Sequence, residues 1–165
     1  ERRCRTGYNC ISSPEVVARV RAVAPDLPVQ RVREILPAPG QAESMSVGSV
    51  TVRVLRVRHN PTRRLPEQHV GFLIGEAAPV LHVGDADPAA DNFVLLRSLP
   101  KVDVALLPFW YLHDAASRRF VADSIAPRQI VAVHLPPADA AGVARTLREA
   151  GANVLLPPAP GSPIR

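Results

Sequence analysis

The sequence predicts an α/β (α+β) fold in which helices pack over sheets, and three observations carry that prediction. Residues 48–85 hold three runs with strand-like character and no helical period. From residue 87 onward, short continuous apolar runs, of the kind buried in parallel sheets, alternate with segments of helical period. The length of 165 residues, with 47% hydrophobic and 21% charged residues, suits one domain that buries a core without disulfide staples.

The elements follow in order. Residues 1–12 read as an irregular start, because ERRCRTGYNC shows no period. A helix is expected from Pro14 to Ala24. Ser13 suits the N-cap, Pro14 the first turn and Glu15 the positive helix end, while Val16, Val17, Val20 and Val23 recur at helical spacing until Pro25. LPVQRVREIL (27–36) reads as a short strand and PAPGQAES (37–44) as a loop. In GSVTVRVLRVRHN (48–60), Val50, Val52 and Val54 face one way and Thr51 and Arg53 the other, and the run stops at His59 and Asn60 before Pro61. HVGFLIGE (69–76) and APVLHVGD (78–85) are two strands joined by a tight turn.

DPAADNFVLLRSLP (87–100) reads as a helix capped by Asp87, with Phe93, Leu96 and Leu99 on one face. VDVALLP (102–108) is a buried strand, and LHDAASRRFVADSIAP (112–127) is a helix with Phe120, Val121 and Ile125 inward. QIVAVHLP (129–136) is a second buried strand. PADAAGVARTLREAG (137–151) is a helix ended by Gly151, and ANVLLP (152–157) is a last strand. Residues 157–165 form a proline-rich tail, and no internal repeat is present.

Composition narrows the function classes. The net charge is +5, and Lys101 is the only lysine. Richness in arginine, alanine and proline fits a bacterial-like base composition as readily as a function. Arg53, Arg56, Arg58, Arg63 and Arg64 form the densest basic run, which reads either as a solvated, loop-supporting face or as a phosphate contact. Aromatics at 4% and the near absence of lysine argue against a nucleic-acid partner. Cys4 and Cys10 lack CxxC spacing and a second pair, so a zinc knuckle is unsupported, and a disulfide between them is left open. No apolar run reaches the ~20 residues of a membrane helix. No signal-peptide pattern is visible, and the compartment is left open, with the cytoplasm as the default.

Three polar residues share one placement. His59 ends a strand before Asn60–Pro61, Asp85 ends a strand after Gly84, and His134 lies near a strand end before Leu135 and two prolines. Loops at strand ends gather into sites in α/β architectures, and imidazole nitrogen with carboxylate oxygen is the usual zinc donor set when thiolate is absent. The plainer readings stand beside this: a histidine at a strand end is commonly a satisfied surface residue, and an aspartate after glycine is commonly a turn or cap. Because Pro88 follows Asp87 directly, capping suits Asp87 better and leaves Asp85 free for another role.

The ordered set RVRHN, HVGFLIGEAAPVLHVGDADP, VDVALLPFW and IAPRQIVAVHLPP resembles the second half of metallo-β-lactamase-fold hydrolases over roughly His59 to Leu156. The resemblance implies an αββα sandwich, incomplete at its N-terminus, within a single partial domain spanning 1–165. It implies that His59, Asp85 and His134 are metal ligands, that Asp85 bridges two zinc ions, and that the ions activate a shared water. The family's HxHxDH motif is absent, since the histidines are His59, His69, His82, His113 and His134. The expectation is therefore the C-terminal half of a zinc hydrolase with a small-molecule substrate, inactive as this chain alone.

The remaining candidates divide more evenly. Trp110, Tyr111 and His113 after a buried strand read either as a substrate wall or as core and lid packing. His82 reads as core or supporting packing, His69 as an exposed residue opening a strand, and Asp103 as structural. The competing functional reading is a non-catalytic remnant or interaction domain that forms a homo-oligomer through a sheet edge. A nucleic-acid processing enzyme is a third, supported only by the arginine run.

Overall fold

The computed structural model describes residues 10–59, 68–136, 140–149 and 154–156. In chain order the elements are β1 (Cys10–Ser12), α1 (Pro14–Val23), β2 (Val32–Glu34), β3 (Ala42–Val47), β4 (Val50–Val57), β5 (His69–Ile74), β6 (Val80–His82), α2 (Ala90–Phe93), β7 (Val104–Pro108), α3 (Ala115–Ser124), β8 (Gln129–Val133), α4 (Ala140–Glu149) and β9 (Val154–Leu155). Short 3-10 turns occupy Val29–Arg31, Val94–Ser98 and Phe109–Tyr111.

β3 to β9 form one seven-stranded sheet in sequence order. β3 through β6 pair antiparallel, and β6 through β9 pair parallel. The switch in pairing follows the sequence: short connections join β3 to β4 and β5 to β6, while the parallel strands are joined through helices. β1 and β2 make a separate two-stranded parallel sheet. The mixed α/β class, with a large sheet and packed helices, is the one expected.

The core explains the layers. Phe93 of α2, Val121 of α3 and Leu147 of α4 bury into one cluster with Leu55, Val57, Leu73, Leu81, Ala105, Leu107 and Ala132. These three helices therefore cover one face of the sheet. Val52 and Val54 of β4 pack on the opposite side with Ile35, beside Ile11, Met45 and Phe72. Successive residues on a strand point to opposite faces, so Val54 at 0% exposure and Leu55 at 3% show β4 covered on both sides. The strict alternation expected for residues 50–54 holds only at the start of this strand.

Several local expectations are corrected. Residues 42–44, expected within the loop, begin a strand over Ala42–Val47, and β4 pairs with it from Ala42–Leu55 to Val47–Val50. The strand expected over 27–36 shortens to Val32–Glu34, with a 3-10 turn before it. The helix expected from Asp87 is a short α2 followed by a 3-10 segment, and Ala89 holds the N-cap position. The Asp87 carbonyl instead accepts from Ala89 N–H and from Asn92 Nδ2, each at 2.8 Å. Ser13 stands at the N-cap of α1, but its hydroxyl makes no capping bond. Cys4, Arg63, Arg64, the start over residues 1–9 and the tail over 157–165 lie outside the described residues. Among the described residues no helix is long and apolar enough to cross a membrane.

Candidate metal centre

Topology brings the three strand ends together. β4 and β6 run the same way, because each is antiparallel to β5, and β8 joins that direction through β7. Their C-terminal ends therefore lie along one edge, where His59, Asp85 and His134 emerge. The chain after β4 is fastened there by main-chain bonds. His59 forms a bridge with Ala86, and the Asp87 N–H donates to the Arg58 carbonyl at 2.9 Å. Asn92 completes the fastening: its Oδ1 accepts from Arg58 N–H at 2.9 Å, and its Nδ2 donates to the carbonyls of Asp87 at 2.8 Å and Arg58 at 3.3 Å.

Asp85 sits between the two histidines. Its Oδ2 lies 3.7 Å from His59 Nε2 and its Oδ1 lies 3.7 Å from His134 Nε2. Both separations are too long for hydrogen bonds. An imidazole nitrogen and a carboxylate oxygen on one zinc ion stand at most about 4.2 Å apart, given zinc–ligand distances near 2.1 Å. The donor set and spacing therefore fit one ion on each side of the carboxylate. Among the described residues no three His, Cys, Asp or Glu side chains gather around one ion position. His59 is mostly enclosed, with 13% of its side chain exposed, while Asp85 at 40% and His134 at 54% open to solvent.

His69 is placed otherwise than expected. It is half-buried against the turn that carries Asp85, with Nε2 3.2 Å from both the Asp85 amide nitrogen and the Val83 carbonyl oxygen. Its ring meets that of His59 edge-on at 5.3 Å. Burial lowers its pKa below 6.5, against a raising contribution from the Val83 carbonyl. Gly84, at φ +57°, makes room for this ring: a Cβ there would stand 2.7 Å from His69 Nε2. The signal in the sequence was the hairpin register. Extending β5–β6 pairing outward from Phe72–His82 sets His69 opposite Asp85.

His82, read as core packing, is exposed. Its Nδ1 accepts from the Gly84 N–H at 3.0 Å, and partial desolvation lowers its pKa.

The three residues read as a substrate wall separate. The Trp110 ring packs against His134 with centroids 5.0 Å apart at 70°. Its Nε1 is buried with no hydrogen-bond partner among the described residues. Tyr111 is 0% exposed and belongs to the core, so it offers no surface to a substrate. Its hydroxyl donates to the Ala86 carbonyl at 2.9 Å, and burial holds its pKa far above 10.0. His113 is exposed and engaged locally, with Nε2 2.8 Å from Asp114 Oδ2 and Nδ1 2.7 Å from the Trp110 carbonyl. Asp103 is structural, paired with Arg128 at 2.7 Å.

No family model matches the chain, and no curated protein matches it. Solved structures do. A protein described as a metal-dependent hydrolase from Parabacteroides distasonis superposes with a TM-score of 0.58 at 11% identity, over 90% of this chain and 63% of its own. The E377D mutant of CmlA β-hydroxylase superposes with a TM-score of 0.53 at 16% identity, over 79% of this chain and 34% of its own. The chain thus spans about a third of one of these proteins and just under two thirds of the other. Both are metallo-β-lactamase-fold proteins, and at these identities the likeness shows the fold alone: this chain is built as a metallo-β-lactamase-like α/β structure.

Proposed function

We propose that this chain carries part of the metal site of a metal-dependent hydrolase, with His59 and Asp85 as donors to one ion and Asp85 and His134 as donors to a second. The observation that carries this reading is the carboxylate of Asp85, which turns one oxygen to each histidine at 3.7 Å. Imidazole and carboxylate donors suit zinc, and they suit iron as well. An ion held there supplies Lewis acidity and lowers the pKa of bound water. The protein's own part is positional. Asn92 and the His59–Ala86 bridge hold the enclosed histidine, Trp110 packs against the exposed one, and the solvent-facing side of Asp85 and His134 leaves room for a small-molecule substrate. On this reading each ion has two donors among the described residues, and weak metal binding by the chain alone is expected.

Metal titration tests this. Zn2+, Fe2+ and Co2+ are titrated into the metal-free protein and into Asp85→Asn and His134→Ala variants, with stoichiometry read by elemental analysis. The expected result is saturable binding that weakens at least about tenfold in Asp85→Asn, the scale on which a lost ligand or its support is felt. Absence of saturable binding, or equal binding by Asp85→Asn, would overturn the reading.

A second reading, an interaction domain, has one observation in its favour. Val50 and Ile74 lie on the sheet face opposite α2–α4 and are 41% and 38% exposed. It predicts concentration-dependent dimerisation without zinc, read by analytical ultracentrifugation.

A further inference from the structure

We propose that His69 is a positioning residue for this site, its Nε2 accepting the Asp85 N–H while its ring edge fixes His59. The proposal rests on the metal reading of His59, Asp85 and His134, and adds a residue that does not itself face an ion.

Three independent contacts converge on this one ring. The Asp85 amide nitrogen is 3.2 Å from Nε2, the His59 ring stands edge-on at 5.3 Å, and the Gly84 backbone passes so close that a Cβ would collide at 2.7 Å. The ring is itself held by strand pairing, because His69 opens β5 opposite Val57. A rigid sheet position thus reaches across to the turn that carries Asp85, adding to the bonds of Gly84 N–H to His82 Nδ1 and Ala86 N–H to the Val83 carbonyl.

The tautomer follows from hydrogen-bond accounting. Nε2 lies 3.2 Å from both the Val83 carbonyl and the Asp85 amide, and one nitrogen serves only one of them, as donor or as acceptor. The Val83 carbonyl already accepts from Ala86 N–H at 3.3 Å. The Asp85 N–H has no other acceptor among the described residues. Nε2 as acceptor therefore satisfies both groups, and the ring proton resides on Nδ1. Without the ring this partly buried amide loses that acceptor, so the bond has consequence for where the Asp85 side chain points.

The test has a metal-free arm and a metal arm. In metal-free, 15N-labelled protein, long-range proton–nitrogen correlation reads the His69 tautomer, and hydrogen exchange reads protection of the Asp85 amide. The expected result is an Nδ1–H tautomer and a protected amide. A protonated Nε2 or an unprotected Asp85 amide would overturn the proposal whatever the metal does. In the second arm, Co2+ is titrated into His69→Phe and His69→Gln and followed by visible absorption. Phe keeps the bulk and loses the acceptor, whereas the Gln carbonyl reaches toward the same amide. The expected result is a loss of about tenfold or more in Co2+ affinity for Phe and recovery to within about threefold for Gln. Phe binding as tightly as the unchanged chain would overturn the proposal. If the unchanged chain binds no Co2+ while the Asp85 amide is protected by an Nδ1–H imidazole, the metal reading fails and the hold of His69 on Asp85 stands.

Discussion

At the residue scale, the candidate site was legible wherever a chemical group stood at the end of an element. His59, Asp85 and His134 drew notice because each closes a strand, and the fold sets all three on one edge with Asp85 between the histidines. His69 and Asn92 drew none, because their work depends on pairing across strands rather than on neighbours in sequence. An imidazole that accepts a main-chain N–H from a residue sixteen positions later carries no local pattern. Gly84 joins these two levels. Its φ of +57° lies in the region that disfavours side chains, and its α-carbon abuts the His69 ring. Gly84→Ala is expected to lower stability by about 1–2 kcal/mol from the backbone conformation, and to displace His69 as well. Urea denaturation should show a lower midpoint with an unchanged slope. An unchanged midpoint would mean that the turn relaxes to another conformation.

At the element scale, the strong apolar runs named β4 to β8, while weak patterns hid β1 and β3. The sequence of β3, AESMSV, is polar and half exposed. Edge strands need only one paired side, so the hydrophobic period that marks a central strand is muted there. The helix expected from Asp87 was misjudged for a different reason. Its apolar spacing suits a helix, but the Asp87 carbonyl is used by a turn that fastens Arg58 and Asn92 beside the site. Two helix predictions follow. Gly142 lies within α4, and a Cβ there meets nothing within 4 Å, so Gly142→Ala should stabilise by about 0.5–1 kcal/mol, read as a higher urea midpoint. Asp114 caps α3, with Oδ1 accepting from Ser117 N–H at 2.7 Å and Oδ2 accepting from its hydroxyl at 3.0 Å. The Ser117 bonds hold its carboxyl below the usual 3.8. A lowered folded-state pKa gives stability that is present above 3.8 and lost as pH falls through the folded value. Asp114→Ala should therefore be less stable than the unchanged chain at neutral pH, and the gap should narrow on acidification. A gap independent of pH would show that the cap acts through packing instead of charge.

At the scale of the whole molecule, the core and the site are one mechanical unit, and Tyr111 is the group that joins them. The α/β class could be read from the change of period near residue 87, since short connections imply antiparallel neighbours and helical crossovers imply parallel ones. The role of Tyr111 could not, because FWY after a buried strand gives no sign of which ring turns inward. The fold turns Tyr111 fully into the core beside Phe93 and Phe120, while its hydroxyl reaches the carbonyl of Ala86 at 2.9 Å. Ala86 is the residue that bridges His59 and follows Asp85. Tyr111→Phe removes that donor and leaves a buried carbonyl short of a partner, at a cost of about 1–3 kcal/mol. The same burial produces a pH signature. The phenol is held protonated in the folded state, with its pKa raised far above 10.0 by desolvation first and by the charge of Asp87 second. The unfolded chain ionises near 10.0, so the contribution is whole below that pH and declines above it, at about 1.4 kcal/mol per pH unit for one proton. Urea unfolding of both proteins from pH 7 to 11 should show the unchanged chain losing its advantage over Tyr111→Phe only above pH 10. Parallel curves across that range would mean that the hydroxyl is reached by water in the folded state, and that the core does not grip the site through this ring.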